Sequence, residues 1–353
     1  MHKARPLLAC STLLVLTCLC PAQEQRPEAA DEPDLRAILT TMPPPPQRPP
    51  VPVEAWSPDR LLEFADGMRV LDSSALVLRG TVLFAEGPTD GLEVIACLRG
   101  GKNHESLMVL HSGNATAVKA GMLAYVGVTG DGAPVGEASG QLPRGTPVRL
   151  RLRWCPDPLL EPDSLVEADV STLVRNRIID NGYPPLPYIY IGSRMERMPV
   201  TTPEGERRTI TRFMLDVTKS VVVNFNEPDA LIAAPYPMAM WDHVFEVNTG
   251  NNPPFEDVEA DLIISRAELP VSLRMGPAGE LYDADDVLVD DARLAQLLRS
   301  HFLAPEPDAL HAIGVHTDPS LPRALDHQVE QRVLRLAARE RVWAIPVFVQ
   351  AAE

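Results

Sequence analysis

The residues of this chain best suited to chemistry are Lys102-Asn103-His104-Glu105-Ser106. An imidazole beside a carboxylate and a hydroxyl has the groups that a general base or a metal ligand needs. The spacing tests that reading. If 104–110 is a strand, His104, Ser106 and Met108 share one face, and Glu105, Leu107 and Val109 share the other. His104 and Glu105 then point apart and cannot chelate one ion together. His111 lies on the Glu105 face, but about 20 Å along it at about 3.3 Å per residue. The pattern favours His104 and Ser106 satisfying neighbouring backbone groups at a strand start. His104, Glu105 and Ser106 stand as the candidate ligand-binding residues, with no catalytic residue, metal or cofactor assigned.

Other constellations are weaker. His301, His311, His316 and His327 fall on separate elements without the usual ligand spacing of a metal site. Asp283, Asp285, Asp286, Asp290 and Asp291 form an acidic run. It lacks the glycine and the terminal glutamate of a calcium loop and reads as a solvated lead into a helix. Gly130-Asp131-Gly132-Ala133-Pro134-Val135-Gly136 has the wrong spacing for a phosphate cradle and reads as a loop. The chain has no Gly-x-Ser-x-Gly elbow, no Walker A loop and no His-Glu-x-x-His. With 32 basic and 48 acidic side chains the formal charge is −16, which repels phosphate backbones and speaks against nucleic-acid partners.

The elements that would hold these residues begin after an address label. His2, Lys3 and Arg5 precede an apolar stretch from Leu7 to Cys20, and Cys20-Pro21-Ala22 offers a small residue for cleavage. Residues 1–22 therefore read as a secretory signal, with the mature chain beginning at Gln23. The stretch is shorter than the roughly 20 apolar residues of a membrane span, and no later segment of the mature chain is a transmembrane candidate. Cleavage would leave Cys97 and Cys155 out of five cysteines, a possible disulfide in an oxidising compartment. Residues 23–56 read as a proline-rich linker. Pro43 to Pro52 suits extended polyproline II, and its expected role is that of a spacer.

Folded structure is expected from 57. Ser57-Pro58 opens a helix to about Ala65, and strand signals then dominate to about Ile264. The clearest is Pro147 to Trp154, where Val148, Leu150, Leu152 and Trp154 alternate. Near Pro270 the character changes. Strands at 271–275 and 280–282, a helix after Asp290, a strand at 312–316, an amphipathic helix from Leu325 to Arg341 and a strand at 343–349 give the order β-β-α-β-α-β. The expected fold class is α+β: a β-rich N-terminal domain over 57–265, followed by a small α/β domain over 266–353.

Two stretches resemble known families. Leu92 to Cys97, Lys102 to Leu107, Ile191-Gly192-Ser193, Val223 to Leu231 and Phe245 to Thr249 resemble the YdjY-like domain of exported bacterial proteins, over about residues 60–265. The chain departs from that pattern at Glu227, inserted before Pro228, and at Asn114-Ala115-Thr116, where a proline-containing helix start is usual. Residues 269–350 resemble the periplasmic domain of the ExbD/TolR family in element order. That family carries a transmembrane helix with an acidic residue for proton coupling, and no such helix precedes residue 269 in this sequence. The YdjY-like match names a domain rather than a reaction; the expectation for the whole chain is an exported, non-enzymatic protein of the periplasm or cell envelope, a binding or interaction module for an envelope partner or for self-association. The competing expectation is a metal-binding protein or enzyme centred on His104 and Glu105.

Overall fold

The computed structural model describes residues 35–45, 48–88, 91–128, 142–202, 205–225, 227–239, 243–306 and 308–350. The expected signal segment and the 130–136 loop lie outside them.

The chain enters through helix α1 (Leu35–Thr41), which packs on the last helix of the chain. Strand β1 (Val51–Val53) follows. The helix expected from Ser57 to Ala65 is not formed. Pro58–Arg60 makes one 3-10 turn, and Leu61–Ala65 is strand β2. Asp66-Gly67, a dipeptide suited to tight hairpins, turns β2 into β3 (Met68–Leu71). Gly67 sits at φ 69, and its missing Cβ leaves room for His111. Pairing with β3 over four positions outweighs one proline helix start.

Then come β4 (Ala75–Val82), β5 (Val94–Leu98) and β6 (Ser106–Leu110). Helix α2 (Ala115–Gly121) follows, capped by the Asn114 side chain on Ala117 N. Strand β7 (Arg144–Trp154) is the longest, at 11 residues. The segment from Leu165 forms β8 (Leu165–Asp169), a 3-10 turn and β9 (Val174–Asn176). Short strands β10 (Asn181–Gly182) and β11 (Tyr188–Tyr190) lead to a hairpin of β12 (Met195–Thr201) and β13 (Arg207–Phe213). After α3 (Leu215–Thr218) come β14 (Ser220–Val223), β15 (Ile232–Ala233), β16 (Phe245–Val247) and β17 (Glu259–Arg266).

Eight strands close a barrel in the order β7-β11-β15-β14-β5-β6-β4-β17 and back to β7. Strand β17 completes it, pairing antiparallel with β4 from Glu259 to Ser265 and with β7 from Ala260 to Arg266. Alternation sends Leu76, Leu78, Leu150, Leu152, Leu262 and Ile264 inward, where all are buried in one apolar cluster. Eight strands suit an interior filled by side chains.

The C-terminal part contains β18 (Val271–Met275), β19 (Leu281–Tyr282), α4 (Asp291–Phe302), β20 (Ala312–Thr317), α5 (Ala324–Glu340) and β21 (Ile345–Gln350). The sheet order is β19-β18-β20-β21, with β18, β20 and β21 parallel.

This corrects the expected fold class of a β-rich domain followed by a small α/β domain. Strand β21 pairs in parallel with Arg144 and Gly145 at the start of β7, so the C-terminal sheet runs on from the barrel wall. The same apolar cluster extends through Leu273, Val315 and Val347. The length of β7 is the physical reason: its first residues pair with β21 and then β11, and its later residues pair with β17 on one edge and β8 on the other.

Two further features fasten the layer. Arg144 is buried and bidentate to buried Asp326 of α5 at 2.7 and 2.8 Å, and it also donates to the Leu321 carbonyl. Gly145 lies where a Cβ would sit 2.0 Å from the Tyr190 carbonyl oxygen, so only glycine lets β11 and β21 approach β7 together.

The described part of the proline-rich segment lies along the body. Ile38, Leu39 and Met42 are buried, Trp343 Nε1 donates to the Pro43 carbonyl, and Val51–Val53 adds antiparallel to β8. No helix among the described residues is long and apolar enough to cross a membrane.

Candidate functional site

The residues singled out from sequence sit at the β5–β6 connection. Asn103–Glu105 is a 3-10 turn and Ser106 opens β6. The strand starts two residues later than the face argument assumes, and within the turn His104 Nε2 lies 3.2 Å from Glu105 Oε1. The imidazole is 72% exposed, so water competes for it. Ser106 is buried, and its hydroxyl donates to the Lys102 carbonyl at 2.6 Å, closing the turn. Its proton is committed to the backbone rather than to a base that would make a nucleophile of it.

Around this turn the structure gathers groups the sequence keeps far apart. Lys102 Nζ lies 3.6 Å from Glu105 Oε2 and 3.6 Å from Glu227 Oε2. Burial alone would lower the Lys102 ammonium, but Glu227, Glu105 and Glu93 outweigh it and hold its pKa above the ordinary lysine value. Burial raises the Glu227 carboxyl, with Lys102 opposing. The Cys97 thiol donates to Asn103 Oδ1 at 3.3 Å, and burial pushes its pKa up, away from thiolate chemistry. Glu227 thus serves as a counter-ion to Lys102. Cys97 and Cys155 are separate free thiols in the structure, one buried and one partly exposed. Among the described residues no group of three or more His, Cys, Asp or Glu side chains is arranged to hold a metal ion. What the turn can do is hold its own geometry through a lysine shared by two carboxylates.

A larger constellation lies on the outside of the barrel. The outward residues of β7 are Arg149, Arg151 and Arg153, alternating with the apolar inward set. Asp169 takes Arg149 through two 2.8 Å bonds. Glu167 takes Arg151 at 2.6 Å and Arg153 at 2.9 Å. On the other side Asp261 of β17 accepts Arg69 at 2.8 Å, and Glu259 accepts Arg79 at 3.2 Å and the Thr81 hydroxyl at 2.7 Å. The Arg153 guanidinium lies 3.7 Å over the Trp56 ring, a cation–π contact.

A cleft of about 490 Å³ opens here between the segment around Trp56, the wall, and the loop carrying Pro158 and Pro162. Leu159 and Leu160 of that loop are 92% and 80% exposed, so apolar surface stands beside a floor of guanidinium, carboxylate and indole. Such a mixture suits a protein segment, because tryptophan and arginine dominate the energetics of protein contacts. The sequence signal was the alternation Arg149-Leu150-Arg151-Leu152-Arg153-Trp154. Its apolar half reads as core, and its basic half lines the wall.

No protein-family model matches the chain, and neither the curated proteins nor the solved structures searched contain a match to it.

Proposed function

We propose that this protein is an exported, non-enzymatic binding module of the cell envelope, and that its partner docks in the outer-wall cleft floored by Arg69, Arg79, Arg153 and Trp56. The carrying observation is the exposed Leu159–Leu160 pair on the loop whose Pro158 and Pro162 line that cleft. Exposed apolar side chains grouped beside a cleft mark an interaction surface more often than an idle one. Strand β1 adds support, since an extended segment of the chain already lies against the same wall by strand addition to β8. The filled barrel interior directs attention outward as well. Export rests on the basic and apolar start of the sequence and on its resemblance to YdjY-like and ExbD/TolR periplasmic domains.

Two measurements test the reading. N-terminal sequencing of the protein recovered from its source cells should begin at Gln23, and a chain retaining Met1 or a lipidated cysteine would refute the expected processing. Site-specific photo-crosslinking in intact cells should give a discrete protein adduct from a probe at Leu61, which lines the cleft. A probe at Leu303, exposed and outside the cleft, should not give it. Arg69→Glu should abolish the Leu61 adduct, and equal labelling from both positions would sink the proposal.

A further inference from the structure

The β12–β13 hairpin stands apart from every other strand pair. It is a separate two-stranded sheet, paired from Met195↔Phe213 to Thr201↔Arg207. Its base is fixed: Met214 N donates to the Arg194 carbonyl at 3.0 Å, and Arg194 pairs with Asp229 at 2.5 Å. Beyond that base most of its side chains are exposed or half-buried. A two-stranded ribbon is marginal alone and gains most from a third strand.

The hydrogen-bond phase decides which edge is open. Thr202 N donates to the Glu206 carbonyl as Met214 N does to Arg194, so the even-numbered residues face each other in bonded pairs. The odd-numbered residues turn their N–H and C=O groups to the outer edges. On β12 one of these is Pro199, which has no N–H and blocks that edge. On β13 the outward residues are Arg207, Thr209, Thr211 and Phe213, each with a donor and an acceptor. The edge of β13 is a template for another strand.

Charge selects the occupant. Arg208, Ile210 and Arg212 share one face of β13, and Arg207 flanks them on the other. Arg208 has a partner in Glu206 at 2.6 Å, in a pair about two-thirds exposed to solvent. Two copies of β13 paired antiparallel about Ile210 would oppose Arg208 to Arg212, which is repulsive. On a chain of net charge −16 this strand is a basic exception. We infer that β13 accepts an extended acidic segment of a partner protein by strand addition, reading a pattern of acidic–x–apolar–x–acidic side chains against Arg208, Ile210 and Arg212. The inference concerns a surface separate from the outer-wall cleft and stands or falls without it.

The probe is a fluorescein-labelled peptide, Thr-Glu-Thr-Val-Thr-Glu-Thr, with a control bearing lysine at both glutamates. Anisotropy titration into the full mature chain should show the glutamate peptide binding at least tenfold tighter than the lysine peptide, and weakening as salt rises. Thr209→Pro removes one outward N–H at a position equivalent to Pro199, and should weaken binding at least tenfold with the thermal unfolding midpoint unchanged. Arg208→Glu combined with Arg212→Glu should invert the preference toward the lysine peptide. Absence of binding by the glutamate peptide, equal affinity for both peptides, or indifference to Thr209→Pro would overturn the inference. So would dimerisation of the free chain abolished by Thr209→Pro. Leu61 crosslinking in the same variants should be unaffected, which separates the two surfaces.

Discussion

His311 is buried at the start of the strand it introduces, with Nδ1 donating to the Trp343 carbonyl at 3.2 Å and Nε2 without a partner. Burial, reinforced by Arg48 and opposed by the Trp343 carbonyl, lowers its pKa from 6.5 to about 4. A neutral ring suits that pocket, and the sign of the linkage follows. The unfolded chain takes up the proton below about pH 6.5 while the folded chain resists until about pH 4. The stability is therefore fully present above 6.5 and drains away as pH falls toward 4. The loss should reach about 1–1.5 kcal/mol between pH 7.5 and 5.5, measured by urea unfolding at each pH. His311→Leu should flatten that slope; an unchanged slope would assign it to other groups. Nothing in the sequence distinguishes His311 from His301 or His327, because the partnerless environment is assembled by Pro185, Trp343 and Phe302. The Lys102 cluster shares this property. Its lysine and Glu105 are neighbours in sequence, but Glu227 arrives from another strand connection.

At the scale of elements, the sequence is most legible where periodicity is strong and least legible where pairing is remote. The α5 stripe of Val329, Val333, Leu336 and Ala337 is buried, and Leu334, which interrupts the polar side, is buried too. Asp290 caps α4 through Arg293 N at 2.8 Å. The β12–β13 ribbon is hard to read because its residues are mixed in character on both faces, so neither a core stripe nor a solvent stripe stands out. Ser57-Pro58 misled in the opposite way, as a local helix signal overridden by the Asp66-Gly67 turn beyond it. Junction residues such as Gly145 look like any loop glycine until the neighbouring strands are in place. Gly145→Ala would drive a methyl group into the Tyr190 carbonyl, an overpacking that costs about 1–3 kcal/mol or more. Urea denaturation should register that loss, while Gly113→Ala, where nothing lies within 4 Å, should stay within about 0.5 kcal/mol of the parent.

For the whole molecule, the fold class depended on two pairings that no local pattern announces. Strand β17 joins residues 180 positions away on β4, and β21 joins the beginning of β7. A reader of the sequence sees a plausible boundary near 266–270, and the continuous sheet crosses it. The same closure has a kinetic meaning. Pro43 accepts from Trp343 and α1 rests on α5, so the first described helix waits for the last one. Contacts of such separation slow folding, because chain entropy must be surrendered before any contact rewards it. Until Glu259–Arg266 arrives, β4 and β7 each present a bare edge. A nascent chain halted before that point is therefore a barrel open along one seam, with two sticky edges, and the time spent in that state is the interval in which a chaperone would matter most.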